Sequence, residues 1–106
     1  MQEISAQQLK ERLATGTDSA MLLDVREIDE FNICHIEGSL NIPMGEMPQS
    51  LGKLDQSQEI ITICHHGMRS MKVALYLEQQ GFAIVTNLTG GVDAWAREVD
   101  VSMAVY

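Results

Sequence analysis

Short apolar runs alternate with amphipathic stretches along the chain. Runs rich in aliphatic or β-branched residues, typical of buried strands, cover residues 20–25, 39–43, 59–64 and 82–88. Helical stretches, most with apolar residues three or four positions apart, are predicted over residues 6–14, 47–51, 69–80 and 92–99. Because strands and helices alternate, we predict an α/β fold with a small parallel β-sheet flanked by helices on both faces.

Cap and turn residues mark the ends of these predicted helices. Ser5 and Gln8 have the spacing of a capping box at the start of the first helix, and Gly16 ends that helix. Gly52 follows the short helical turn, and Gly81 follows the helix predicted over 69–80. The helix boundaries are therefore predicted from local sequence alone.

The length and charge of the chain exclude several classes of protein. With 106 residues and no repeat or linker, residues 1–106 are expected to form a single domain. A formal net charge of −8 argues against nucleic-acid and anionic-membrane partners, since both need a basic patch. The apolar runs are too short to span a bilayer, and the first residues lack the apolar stretch of a secretory signal. With only two cysteines, we expect a cytoplasmic protein with reduced thiols.

The candidate chemistry lies where the run at 59–64 ends in Cys64 and is followed by His65, His66 and Gly67. In a parallel sheet, the carboxyl ends of the strands carry the ligand site. The first N–H groups of the next helix form an anion cradle there and favour the thiolate form of Cys64. Arg69 adds a cation suited to an oxyanion, and Gly67 permits a close approach of the backbone or a positive φ. From these residues alone, an inert buried cysteine remains the alternative.

Two stretches of the chain resemble the rhodanese family. Residues 22–43 contain Asp-Val-Arg, an acidic-aromatic pair and His-Ile-x-Gly, and they end in Asn-Ile-Pro. Residues 61–95 contain the cysteine loop and end in Gly-Gly-x-x-x-Trp. The resemblance covers nearly the whole chain, with two separate motifs in the right order.

The resemblance implies a sulfurtransferase in which Cys64 takes a sulfane sulfur and holds it as a persulfide. It implies a loop formed by Cys64, His65, His66, Gly67, Met68 and Arg69, a small anionic donor such as thiosulfate, and an acceptor such as cyanide, a small thiol or a protein thiol. No metal or organic cofactor is expected, and we expect a monomer. Two alternatives remain: a persulfide carrier that exchanges sulfur with partner proteins, and a phosphatase or arsenate-reductase-type enzyme. The second is disfavoured because the related phosphatases have a loop one residue longer.

Other polar residues near the motifs are expected to support the structure. Asp24, Arg26 and Glu30 are expected to support the loop, with Arg26 and Glu30 forming a structural ion pair four positions apart. We expect the backbone amides of His65 and His66 to matter more than their imidazoles. His35 is expected to have a structural role in the His-Ile-x-Gly turn.

Cys34 departs from the resemblance, because the family commonly has glycine immediately before His-Ile. A thiol there could resolve the persulfide or pair with Cys64, or it could be a tolerated small side chain. If the glycine is needed for a positive φ, Cys34 would be strained. A zinc site built from Cys34, His35, Cys64 and one of the two loop histidines is disfavoured, because adjacent Cys-His pairs lack the usual ligand spacing.

Overall fold

The computed structural model describes residues 1–16 and 19–106. The strands are β1 (Gln2–Ile4), β2 (Met21–Asp24), β3 (Leu40–Asn41), β4 (Ile60–Ile63) and β5 (Val85–Leu88). The α-helices are α1 (Ala6–Ala14), α2 (Ile28–Ile33), α3 (Met47–Ser50), α4 (Met68–Gln79) and α5 (Gly91–Glu98). Short 3-10 turns, Met44–Glu46 and Leu51–Lys53, flank α3.

The five strands form one all-parallel sheet in the order β1-β5-β4-β2-β3. The central strand β4 lies between β2 and β5 and is fully buried, which agrees with its unbroken apolar sequence. The predicted α/β fold with a parallel sheet and surrounding helices is therefore confirmed.

Alternate residues of β4 contribute to two separate cores. Ile61 and Ile63 belong to the cluster that contains Leu9 of α1 and Trp95 of α5. Ile60 belongs to the other cluster, together with apolar side chains from α3 and α4 that include Met47, Val73 and Leu77. Because successive side chains of a strand point to opposite faces, the helices cover both sides of the sheet.

The first helix has the caps that its sequence predicts. The Ser5 side chain accepts a hydrogen bond from the Gln8 N–H at 3.1 Å, and Gln8 Oε1 accepts one from the Ser5 N–H at 2.9 Å. Gly16 follows the helix with a φ of 69°. The capping box and the glycine stop are both confirmed.

Two elements were absent from the sequence prediction. The strand β1 consists of three residues, two of them polar and exposed, and is recognisable only by its pairing with β5. The helix α2 has only six residues and buries none of them, so its sequence is too short to show a helical period. None of the helices in the described part of the chain has the length and apolar character that a membrane span requires.

Candidate active site

The Cys64 thiol lies directly beyond the carboxyl end of β4, and its residue is only 1% exposed. Gly67 adopts a φ of 103°, which turns the loop back so that its own N–H donates to Cys64 Sγ at 3.0 Å. The helix α4 then begins at Met68, one residue earlier than predicted. The first N–H groups of a helix have no partner within the helix, so the start of α4 can supply further backbone donors to a group bound at Cys64.

Neutral side chains support this loop from below. Ser70 Oγ lies 3.3 Å from Cys64 Sγ and 2.5 Å from Asn87 Oδ1, and Asn87 Nδ2 donates to the Gly67 carbonyl at 3.1 Å. Both Ser70 and Asn87 are buried. A hydroxyl has one proton, so Ser70 donates either to Cys64 Sγ or to Asn87 Oδ1, and the contact with Asn87 is the shorter of the two.

Neither Ser70 nor Asn87 was among the predicted site residues. Each carried a usable signal: Ser70 follows Arg69 at the start of α4, and Asn87 is a polar residue inside a fully buried strand. Buried polar side chains need hydrogen-bond partners, and here the loop of residues 64–69, which we call the sulfur loop, supplies them.

The start of α5 holds the loop from a second direction. The N–H groups of Val92 and Asp93 donate to the carbonyls of Cys64 and His65 at 2.9 and 3.0 Å. A Cβ atom on Gly91 would lie 2.3 Å from the Cys64 carbonyl oxygen. The second glycine of the Gly-Gly turn is therefore required for this close approach of two backbones.

Arg69 and Glu30 form an ion pair across the outer side of the loop. Both terminal nitrogens of Arg69 donate to the Glu30 carboxylate, at 2.7 and 2.9 Å. These hydrogen bonds lower the pKa of Glu30 from 4.5 to about 2, and they raise the pKa of Arg69. The predicted side-chain pair between Arg26 and Glu30 was wrong, because the Glu30 carboxylate binds Arg69 instead.

Arg26 is buried and pairs with Asp24, the last residue of β2. Its Nη2 lies 2.7 Å from Asp24 Oδ2, and both residues are 0% exposed. Other donors of the guanidinium reach the main-chain carbonyls of Glu30 and Cys34, at 3.2 and 2.7 Å, and the Tyr106 hydroxyl. Burial opposes the charge, but the hydrogen bonds that Arg26 donates to Asp24 and Tyr106 outweigh it, so the pKa of Arg26 lies above its ordinary value. A fully satisfied guanidinium of this kind supports the scaffold.

The two loop histidines differ in exposure. His66 is exposed, whereas His65 is partly buried, and their ring centroids lie 3.9 Å apart. Burial, followed by the proximity of His66, lowers the pKa of His65. The Nε2 atom of His65 is buried without a hydrogen-bond partner in the part of the chain that the structure describes.

Met68 and the residues around Cys34 complete the set of predicted positions. Met68, the first residue of α4, is 64% exposed. Cys34 has a φ of −165°, so the expected strain is absent. Both cysteines are free; Cys34 packs against one core cluster, whereas Cys64 belongs to the other. The His35 ring stacks on Phe31 and contacts its carbonyl at 2.9 Å, an arrangement in keeping with a structural role.

One group of side chains has ligand atoms close enough to share a metal ion. His65, His66 and Asp93 place these atoms within 4.8 Å of one another. Asp93 also binds Arg97 four residues along α5. This group differs from the Cys-His set considered from the sequence, since neither cysteine takes part.

The comparison with protein families agrees with this geometry. Residues 5–98 match the rhodanese-like domain family, so the match includes the cysteine loop, the Arg26 scaffold and the Gly-Gly turn. The chain belongs to the rhodanese-like family. The resemblance drawn from the two sequence motifs is therefore confirmed.

Two relatives from Bacillus subtilis have names that refer to sulfur transfer. The chain is 41% identical over 98 residues to YtwF, which is named as a candidate sulfurtransferase. That alignment covers 92% of this chain and 93% of YtwF. It is 37% identical over 98 residues to YrkF, named as a candidate sulfur carrier protein. That alignment covers 92% of this chain and 52% of YrkF, so the chain spans about half the length of this relative.

A solved structure has the same fold. The crystal structure of a rhodanese-like domain protein from Staphylococcus aureus is 31% identical in sequence and superposes with a TM-score of 0.85. The superposition covers 93% of this chain and 95% of that one. The rhodanese-like fold therefore extends over nearly the whole of both chains.

Proposed function

We propose that the protein is a sulfurtransferase that carries a sulfane sulfur as a persulfide on Cys64. The observation that carries the proposal is the 3.0 Å hydrogen bond from the Gly67 N–H to Cys64 Sγ, within a loop at the start of α4. A donor so close to the thiol stabilises negative charge on sulfur, both before and after sulfur is taken up. The names of the two Bacillus relatives support sulfur transfer in general.

In the first step, the Cys64 thiolate attacks the outer sulfur of thiosulfate. A new S–S bond forms to Cys64, the S–S bond of thiosulfate breaks, and sulfite leaves with the bonding electron pair. The terminal sulfur of the persulfide carries the negative charge, which the loop N–H groups stabilise.

In the second step, an acceptor nucleophile attacks that terminal sulfur and releases Cys64 as a thiolate. With cyanide the product is thiocyanate, and with a thiol it is a new persulfide. Each step transfers one sulfur atom and requires no external oxidant or reductant, so the cycle needs no redox cofactor. Because the donor product leaves before the acceptor reacts, the kinetics are ping-pong.

Arg69 has an indirect part in this proposal. Both terminal nitrogens of its guanidinium donate hydrogen bonds to the Glu30 carboxylate, so the negative charge of Glu30 largely neutralises the positive charge of Arg69. We assign the binding of the donor mainly to the backbone N–H groups, and we assign to Arg69 the role of holding the end of the loop. A cytoplasmic, monomeric protein with thiosulfate or a protein persulfide as its donor completes the proposal.

A second candidate is a persulfide carrier that exchanges sulfur with partner proteins and turns over small molecules poorly. The name of YrkF favours it. The burial of Cys64 would also protect a stored persulfide from bulk thiols. Slow loading from thiosulfate with fast loading from a protein persulfide would favour this carrier over the free-standing enzyme.

The test is the intact mass of the protein after incubation with thiosulfate, for wild type, Cys64→Ser and Cys34→Ser. We expect one added sulfur in wild type and Cys34→Ser and none in Cys64→Ser, because only Cys64 faces the N–H donors. Two added oxygens weigh nearly the same as one sulfur, so cyanide treatment must follow: a persulfide loses its sulfur, whereas a sulfinic acid does not. Cyanide-labile sulfur in Cys64→Ser would overturn the assignment.

A further inference from the structure

The side chain of Tyr106 reaches the sulfur loop from a distant part of the sequence. Its ring stacks on His65, with centroids 3.8 Å apart and planes 4° from parallel. Its hydroxyl accepts a hydrogen bond from Arg26 Nη1 at 2.8 Å and donates one to Glu30 Oε2 at 3.0 Å. Neither motif of the sequence includes Tyr106, and the steps of sulfur transfer do not use it.

The ring acts on the beginning of the loop. His65 directly follows Cys64, and its imidazole contacts the ring of His66 as well as that of Tyr106. Parallel aromatic contacts at this separation are favourable and restrict the rings that form them. With Tyr106 in place, the first residue after the nucleophile has one preferred position.

The hydroxyl acts on the end of the loop. It binds the same Glu30 carboxylate that holds both terminal nitrogens of Arg69, the last residue of the loop. It also occupies a donor of the buried Arg26. Burial raises the pKa of Tyr106, so the phenol keeps its proton and donates to Glu30 near neutral pH.

We propose that Tyr106 is a positioning residue that holds both ends of the Cys64 loop in the conformation that accepts a sulfur donor. The proposal rests on the sulfur transfer proposed above and adds to it a residue outside the loop. Tyr106 acts through His65 and Glu30 rather than on sulfur. Without Tyr106, only a fraction of the molecules has the loop in place. The apparent affinity for a donor is then the intrinsic affinity multiplied by that fraction.

The test measures the rate of sulfur loading against thiosulfate concentration in a Cys34→Ser background, so that Cys64 is the only thiol. The variants are Tyr106→Ala, which removes ring and hydroxyl, and Tyr106→Phe, which keeps the ring. Val105→Ala is the matched control, because Val105 is 51% exposed and lies next to Tyr106. Urea unfolding of each variant confirms that the protein is folded at the assay temperature.

We expect the half-saturating thiosulfate concentration to rise about threefold to tenfold in Tyr106→Ala, the range set by one aromatic contact. The plateau rate should stay within about twofold of the wild type, because bound donor selects the ordered loop. Tyr106→Phe should recover most of the loss, and Val105→Ala should match the parent. An unchanged half-saturating concentration, or a lower plateau alone, would overturn the proposal. Equal losses in Tyr106→Ala and Tyr106→Phe would overturn the role of the ring.

A double-mutant cycle locates the effect on His65. In a His65→Ala background, Tyr106→Ala should cause a smaller rise than in the parent, because the stacking partner is already absent. Equal rises in the two backgrounds would show that the ring acts elsewhere and overturn this part of the proposal.

A second measurement keeps the inference separate from sulfur transfer. Alkylation of Cys64 by iodoacetamide, in the same background, requires no sulfur donor. We expect it to be about threefold faster or more in Tyr106→Ala, since the loop opens. If the wild type takes up no sulfur but Tyr106→Ala is alkylated faster, the function proposed above fails while the positioning role stands. If the wild type takes up sulfur and neither loading nor alkylation changes in Tyr106→Ala, only the positioning role fails.

Discussion

The inner and outer sides of the sulfur loop are held by different physical means. On the inner side, Asn87, Ser70 and the start of α5 hold the loop through hydrogen bonds of buried neutral groups. On the outer side, Arg69, Glu30 and Tyr106 hold it through a partly exposed ion pair and a ring contact. Buried neutral hydrogen bonds are insensitive to pH and salt, whereas exposed ion pairs respond to both. The inner side therefore sets the shape of the loop, and the outer side can adjust it.

Gly91→Ala should break the inner side most severely. The added Cβ would lie 2.3 Å from the Cys64 carbonyl oxygen and 2.4 Å from that of His65, and Gly91 has a φ of 58°. We expect a loss of about 3 kcal/mol or more in the free energy of unfolding, because neither backbone can move independently. Urea unfolding measures the loss. Gly45→Ala is the control, since a Cβ there meets nothing within 4 Å. Equally small losses of unfolding free energy in both variants would refute the close approach of Gly91 to the Cys64 carbonyl.

Asn87→Ala should have the next largest effect. It removes the amide that binds the Gly67 carbonyl and Ser70 Oγ, both in buried positions. We expect a loss of about 2 kcal/mol in unfolding free energy and slower sulfur loading, because buried groups lose their partners.

Asn32→Ala is the matched control for this variant, because Asn32 is exposed on α2. Unfolding in urea and a single-turnover loading assay give the two readouts. Wild-type loading by a folded Asn87→Ala protein would show that the inner side does not depend on the amide.

Glu30→Gln should have the smallest effect on stability and the only one that depends on pH. The pKa of Glu30 is about 2 in the folded protein against an ordinary 4.5. The carboxylate therefore stabilises the fold above pH 4.5 and loses that contribution as the pH falls toward 2. We expect wild type to be more stable than Glu30→Gln by up to about 1 kcal/mol near neutral pH, as for a partly exposed pair.

The urea midpoint of both proteins across this pH range is the measurement, and the gap between them should close in acid. Glu37→Gln, on an exposed residue, serves as the control. A gap that stays constant with pH would mean that the ion pair with Arg69 does not stabilise the folded state.

The elements that were predicted correctly share one property: their signals lie within a few residues. The capping box at Ser5, the apolar run that ends in Cys64 and the stops at Gly16 and Gly81 need no distant partner to be recognised. The predicted stop at Gly52 was wrong, because Gly52 lies inside the 3-10 turn Leu51–Lys53 that continues from α3. The strand β1 and the helix α2 lack such a signal. The strand exists because β5 offers an edge to pair with, and the helix has only six residues, too few to show a helical period.

What the sequence determined by itself was the parallel α/β pattern and the position of Cys64 at the end of a buried strand before a helix. Both follow from local hydrophobic periodicity and turn chemistry. The tertiary structure alone decided which charges and rings meet. Glu30 lies 39 positions from Arg69 and 76 from Tyr106, and local spacing favoured Arg26 as its partner instead. Charged side chains pair with whatever the fold brings within reach, so their partners become known only when the strands have been placed side by side.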